Sequence, residues 1–432
     1  MTASSRSPSY RRFDSAAGRH ILIVPHSRIY DLPAAWLGPD DSLVPEAVGA
    51  VEALALPVEG EASLDAVPLP SPRSISLNVS SSCNLACSYC YAGRGKFEGR
   101  QAGSMPWAVA QAAVDRLLHD ATEGERFTIG FIGGEPFVNR HLIKRVVEYA
   151  ERRAKGTGAT IEFSVTTNGT LLEEEDRALL REHPFAVTVS VDGAKNTHES
   201  QRPAAAHGRN SWDELVARVS PLLDRPGKAR VCARGTVSRQ DMAIQSHFDA
   251  ITTVGFTEVG FSPLRRAAAS GLAFEERDWP IYAAAMSALA RSELQNALDG
   301  AEIRFTNFVV ALRQLHRGWA APYACAAGGG YFSVATDGRW YACHRAIGNP
   351  EYRLGDNHGL DASARQHFLA ARHVHAHTDC RGCWARYLCS GGCHQERATR
   401  SIASCDFIRS WLTTCMTSYC ELFEQRPEWF SA

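Results

Sequence analysis

The sequence predicts an α/β fold: six β/α units forming a parallel sheet, open or partly closed as a partial (β/α)6 TIM-like barrel. A small N-terminal α+β or hairpin domain precedes it and a cysteine-rich C-terminal domain follows. Three observations carry this expectation. From Ser74 onward short apolar runs alternate with amphipathic helical stretches. Before that point a Pro- and Ala-rich stretch ending in PLPSPRS reads as a linker. After about Cys325 the rhythm gives way to turns, glycines and cysteines, a region with so little core of its own that metal sites are expected to staple it.

At 432 residues and 45% hydrophobic content the chain can bury more than one core. Three regions are expected: 1–72, 73–318 and 319–432. In the first, residues 20–24 alternate toward a strand, PHS turns, and residues 28–32 return as its hairpin partner. In the second, strands are expected at 76–79, 127–131, 162–166, 186–191, 231–237 and 258–262, with helices such as 107–119 and 140–153 between them. Ligands of such a sheet bind at the C-terminal strand ends.

The 46 basic and 47 acidic residues nearly cancel, which leaves no broad electrostatic footprint for nucleic acid or an anionic membrane surface. No long apolar run and no secretory signal pattern is visible, so a soluble, cytoplasmic protein is expected. In a reducing compartment the thirteen cysteines read as metal ligands or catalytic groups rather than disulfides.

Directly after the first barrel strand, SSCNLACSYCYAG sets Cys83, Cys87 and Cys90 in one loop with C-x3-C-x2-C spacing. Three thiolates can hold three corners of a 4Fe-4S cluster and leave the fourth iron open for a ligand. A three-cysteine zinc site completed by His or Asp is the alternative. With Tyr89 before the third cysteine, the loop resembles the signature of the radical S-adenosylmethionine (radical SAM) superfamily. The resemblance implies that the open iron chelates S-adenosyl-L-methionine and that reduction cleaves it to a 5'-deoxyadenosyl radical, which abstracts hydrogen from unactivated positions.

The resemblance extends through motifs behind successive strands. It implies that Gly133, Gly134, Glu135 and Pro136 receive the methionine amino group. It assigns Asn168 of the Thr167-Asn168-Gly169 turn, with Ser190 and Asp192 of the next, to the ribose, and Arg202 to the methionine carboxylate. Taken singly, such NG and DG turns are common loop punctuation.

Seven further cysteines follow in order: Cys325, then Gly338 and Cys343, then Cys380-x2-Cys383-x5-Cys389-x3-Cys393, then Cys405. This pattern resembles the SPASM domain of peptide-modifying radical enzymes. It implies two auxiliary 4Fe-4S clusters and hence three clusters in all, one held by Cys325, Cys343 and Cys393 and the other by Cys380, Cys383, Cys389 and Cys405. Structural zinc is again the alternative.

Two positions depart from sulfatase-maturing members of the family. Tyr331 stands where they have a further cysteine, which leaves an open iron or a ligand from elsewhere, with Cys415 and Cys420 as candidates. His344 stands where they have a carboxylate base; histidine can accept a proton near neutral pH, so a catalytic base role is expected for it. The lost carboxylate argues against sulfatase maturation. Cys232 reads as a small buried hydrophobe in a strand, and the His373-x-His375-x-His377 alternation as an exposed segment.

The Gly-rich loop after Tyr91 is similar to loops in maturases of ribosomally made peptides, and residues 1–72 are the expected site for a leader peptide that adds a strand to a sheet edge. The expected activity is abstraction of hydrogen from a precursor peptide followed by an intramolecular crosslink, a cyclophane C–C bond or a thioether, with a flavodoxin or ferredoxin-type reductant. Maturation of a residue in a protein subunit, and a non-catalytic iron-sulfur or zinc protein that binds peptides, are the other two readings.

Overall fold

A computed structural model of the chain describes residues 8–56, 64–97, 103–206, 208–266 and 271–431. Parts of the expected linker (57–63) and of the Gly-rich loop after Tyr91 (98–102) lie outside the described residues. The chain divides into two compact units, each assembled from separated segments. One comprises Met1–Val67, Glu276–Cys325 and Ala370–Ala432; the other comprises Pro68–Glu275 and Ala326–Leu369.

The first unit carries a three-stranded antiparallel sheet, β1 (Tyr10–Ser15), β2 (Gly18–Ile23) and β3 (Arg28–Asp31), with β2 in the centre. The expected hairpin is β2–β3, turned at Ser27 in the left-handed region. β1 was not expected, because the adjacent Arg11 and Arg12, with Asp14, break any apolar alternation in YRRFDS. The core of β2 lies in Ile21, Leu22 and Ile23, all buried. Its longer helices are Pro45–Leu54, Asp278–Leu298, Thr306–His316 and Ile402–Gln425. The last of these seats Phe407 against Trp279 and Tyr282 and seats Trp411 against Phe305 and Phe308. Its Cys415 and Cys420 are buried in the same packing.

The second unit is built on a nine-stranded sheet. β4 (Ser74–Ser80), β5 (Arg126–Gly133), β6 (Thr160–Thr167), β7 (Phe185–Ser190), β8 (Arg230–Val237) and β9 (Val259–Pro263) run parallel in chain order. These are the six expected strands, each within a few residues of its predicted place. Beside β4 the sheet continues with β10 (Tyr331–Val334), β11 (Arg339–Tyr341) and β12 (Arg353–Asp356), so it runs open from β12 to β9. These three strands were not predicted; at three or four residues each they are too short for a period-2 signal.

Along β6, Ile161, Phe163, Val165 and Thr167 are buried while Glu162, Ser164 and Thr166 are not. Such alternation is unusual in a parallel sheet, whose strands normally read as continuous apolar runs because both faces are covered. Here one face packs on apolar groups, with Phe131, Phe163 and Phe185 in mutual ring contact at 5.2–6.3 Å. The other face is lined by Ser76, Ser164, Thr166 and Thr188. Cys232 shares that face, half-buried and 3.5 Å from Thr188 Oγ1, rather than lying in the core as expected. On the buried face, Phe163→Ala is expected to cost about 3–5 kcal/mol, read as a lowered denaturation midpoint with the far-UV spectrum retained.

Candidate functional site

The three-cysteine loop leaves β4 at its C-terminal end and is strapped on both sides. On one side Gly134 N–H donates to Ser80 O (2.8 Å) and Glu135 N–H to Ser82 O (2.9 Å). A Cβ at Gly133 would overlap the Ser80 carbonyl oxygen, and one at Gly134 that of Ser82, so glycine is the residue that lets the end of β5 lie against the loop. On the other side Ala86 N–H and Ser88 N–H donate to Pro203 O and Gln201 O.

Glu135 is fully buried. Its carboxylate accepts from Phe137 N–H (3.1 Å), Thr167 Oγ1 (2.7 Å) and Asn168 N–H (2.7 Å). Burial pushes it up to about 7, against the opposing pull of these donors. It thereby fastens β5 to the end of β6 and caps the turn begun by Pro136. Asn168 is spent similarly: its Oδ1 accepts from Thr170 N–H and Oγ1, and its Nδ2 donates to Asn84 Oδ1 (2.9 Å). Asn84, between the first two cysteines, was missed by sequence reasoning; it ties the loop to β6 through Asn168 and Thr170.

At the end of β7, Asp192 is buried, accepts from Thr236 N–H (3.0 Å) and Tyr89 Oη (2.5 Å), and forms an ion pair with Arg202, Nε lying 3.0 Å from its carboxylate. The Arg202 guanidinium lies over the Tyr89 ring and 3.9 Å from Cys87 Sγ. Burial opposes its charge, but Asp192 and the neighbouring acidic groups hold its pKa above the ordinary value. Ser190 is half-buried at the end of the same strand. Glu135 and Asn168 are thus engaged within the protein, while Asp192 and Arg202 form an ion pair beside the loop.

The sulfurs of the loop already receive N–H donors. Leu85 N–H points at Cys83 Sγ (3.4 Å), Arg94 N–H at Cys90 Sγ (3.3 Å) and Asn168 Nδ2 at Cys83 Sγ (3.8 Å). Burial pushes the free Cys83 thiol up to about 12, so ligation to a metal is what would ionise it at neutral pH. Close by, His198 Nε2 and Gln201 Oε1 are buried with no hydrogen-bond partner among the described residues. The loop therefore fits a thiolate-bound cluster, with unspent polar groups beside it for a ligand. Among the described residues no three His, Cys, Asp or Glu side chains converge on a single metal ion.

His344 follows Cys343 at the start of a short turn. Burial lowers it to about 4, so its ring is neutral near pH 7. Its Nδ1 is 3.2 Å from Tyr331 Oη, which also meets Ser76 Oγ at 2.7 Å. The Tyr91 ring stands 5.9 Å from the imidazole. Ala92 and Phe97, just beyond the third cysteine, pack with Ala335, Tyr341 and Ile347.

Cys380, Cys383, Cys389 and Cys405 lie together in the first unit, close enough that each of the other three raises Cys389 electrostatically, adding to a burial that takes it up to about 11. Arg400 donates to Cys380 Sγ (3.2 Å) and Cys389 Sγ (3.8 Å). Cys325 and Cys393 belong to the same unit and Cys343 to the other; Cys325 Sγ accepts from Arg372 Nη2 at 3.3 Å. The His373–His377 segment is not exposed as expected. His373 and His377 are buried, His373 Nε2 meets Leu64 O (2.8 Å), and His375 bridges Asp65 and Tyr387, so the alternation is spent on packing its own unit.

A parallel half-open barrel with a three-cysteine loop after its first strand defines the class, and the comparisons agree. Residues 77–225 match the model described as the radical SAM superfamily, so the chain carries a radical SAM domain. Over 336 residues it is 26% identical to a serine-type anaerobic sulfatase-maturating enzyme of Klebsiella aerogenes, covering 73% of this chain and 78% of that protein. It is 25% identical over 365 residues to a cysteine-type anaerobic sulfatase-maturating enzyme of Clostridium perfringens strain 13, covering 80% and 94%. The fold is shared with native anSMEcpe with bound AdoMet (TM-score 0.69, 20% identity, 82% of this chain and all of that one). It is also shared with Streptococcus suis SuiB bound to precursor peptide SuiA (TM-score 0.51, 14% identity, 87% and 82%). Among the described residues no helix is long and apolar enough to cross a membrane.

Two substitutions probe the strapping of the loop. Gly134→Ala, whose Cβ would overlap backbone of the loop, is expected to lower both the thermal midpoint and the iron bound after anaerobic reconstitution; unchanged iron would show that the close approach is dispensable. Glu135→Ala strands three buried donors and is expected to cost about 3 kcal/mol or more, at roughly 1–3 kcal/mol per unsatisfied group, seen in denaturant unfolding.

Proposed function

We propose that this chain is a radical SAM peptide maturase that takes hydrogen from a residue of a ribosomally made precursor peptide and leaves an intramolecular crosslink, a cyclophane C–C bond or a thioether. The observation that carries the reading is the three-thiol loop at the C-terminal strand ends of a sheet one face of which is lined by hydroxyls, with Thr166 exposed and Ser164 and Thr188 half-buried. Cys83, Cys87 and Cys90 would hold a 4Fe-4S cluster that, with S-adenosyl-L-methionine bound, supplies a carbon-centred radical. Tyr89, Asp192 and Arg202 form the wall beside it, and Gly133 and Gly134 bring backbone close to the loop. Two auxiliary clusters are proposed on the seven C-terminal cysteines, with a flavodoxin or ferredoxin-type protein as reductant.

A crosslink is favoured over sulfatase-type oxidation by two residues. Tyr331 and His344 stand where the sulfatase-maturing pattern has a cysteine and a carboxylate, and the two are hydrogen-bonded to each other. The base role of His344 is proposed on its position. The overall similarity to sulfatase-maturating enzymes is what favours the second reading, modification of a residue within a protein. For the leader peptide, β3 is the proposed docking edge: it ends the N-terminal sheet with Arg28, Tyr30 and Asp31 exposed.

The test is anaerobic reconstitution followed by iron and sulfide analysis and an assay for 5'-deoxyadenosine with dithionite and S-adenosyl-L-methionine. About twelve irons are expected for three 4Fe-4S clusters, with nucleoside released, and Cys87→Ala is expected to abolish release. Zinc without iron, or iron without cleavage, would make the chain a non-catalytic peptide-binding protein. With precursor peptide, a product lighter by two hydrogens whose fragmentation stops between two joined residues supports the crosslink. An aldehyde trapped by a hydrazine supports the second reading.

A further inference from the structure

Three arginines, Arg11, Arg400 and Arg409, act on the four cysteines Cys380, Cys383, Cys389 and Cys405. Arg400 reaches two of them, Nη1 to Cys380 Sγ at 3.2 Å and Nη2 to Cys389 Sγ at 3.8 Å. Burial would lower its pKa, but Cys380, Cys389 and Cys405 hold it above the ordinary value. Arg409, one helical turn beyond Cys405, faces Cys383 and is paired with Asp406. Arg11 comes from β1, far away in sequence. Its guanidinium lies 3.8 Å from the centre of the Trp384 ring, donates to Thr413 Oγ1 at 3.1 Å, and feels both Cys383 and Arg409.

Arg11 and Arg409 repel each other. Arg11, Arg400 and Arg409 together favour negative charge among the four sulfurs, and Asp406 pairs with Arg409. Four thiolates around a cluster supply that charge. The reduction potential of an iron-sulfur cluster depends on net local charge and on hydrogen bonds to its sulfurs, and added positive charge favours the more negative, reduced form.

We infer that Arg11, Arg400 and Arg409 form a cationic shell that raises the reduction potential of a cluster held by Cys380, Cys383, Cys389 and Cys405. The inference rests on the reading that these cysteines hold an iron-sulfur cluster. The arginines are positioning residues, acting through the sulfurs, and they make this cluster the readier acceptor of a single electron.

The experiment uses the full chain with Cys83, Cys87 and Cys90 changed to Ala, reconstituted anaerobically and titrated with dithionite while the reduced cluster is followed by electron paramagnetic resonance. The signal is assigned by its loss when Cys380 and Cys389 are also changed to Ala. Arg400→Gln is expected to make electron uptake about tenfold less favourable, a downward shift of about 59 mV for a one-electron couple. Arg409→Gln and Arg11→Gln are expected to shift it the same way by less, and Arg400→Lys to restore part of the loss. Unchanged midpoints in Arg400→Gln and Arg409→Gln at full iron content would overturn the inference. If Arg400→Gln loses its iron, unchanged midpoints in Arg400→Lys and Arg409→Gln would overturn it instead. Iron content and signal left undiminished by the double cysteine change would show that the set holds no cluster, and would sink the reading beneath it as well.

Discussion

The close backbone approach of Gly133 and Gly134 to Ser80 and Ser82 is the contact on which the rest of the site depends. It fixes where the cysteine loop leaves β4, and every later residue of the site is placed relative to that loop. Glu135 extends the lock to β6 and Asn84 reinforces it, while Tyr89 and Arg202 carry it to Asp192 beyond β7. These bonds lie mostly in buried surroundings, where an unmade partner is costly, so they act as a rigid frame rather than as adjustable contacts.

A second regularity concerns sulfur and arginine. Arg202 approaches Cys87, Arg372 donates to Cys325, and Arg400 donates to Cys380 and Cys389. A guanidinium offers a fork of donors and keeps its charge at any physiological pH, so it suits a thiolate that spreads negative charge over sulfur. The arginine lies between 11 and 115 residues from the cysteine it meets, at no fixed spacing, and the fold makes the pair.

That distance explains what could be read from the sequence. The barrel strands announce themselves as apolar runs, and the cysteine loops as fixed spacings, because both are local patterns. β10, β11 and β12 carry too few residues for any period, and their place beside β4 is set by pairing across some 250 residues, as in Tyr331 with Ser74. Asn84, Tyr331 as a partner of His344, and the Arg11 contact were invisible for the same reason: each acquires meaning only from a distant neighbour. The burial of His373 and His377 was misjudged because a polar alternation looks exposed until its acceptors, such as Leu64 O, are known.

The discontinuous make-up of the two units sets an order of events during synthesis. β4–β9 lie in one contiguous stretch and can pair as they emerge, whereas the N-terminal sheet shares its unit with residues from 276 onward and the four-cysteine set from 380 onward. At roughly 5–20 residues per second, the first strands wait on the order of 20–80 seconds for the last helix. Throughout that interval β1 lacks the Ile402–Gln425 helix it packs against. The four-cysteine set is therefore the last part of the chain to close, after the barrel strands are already in place.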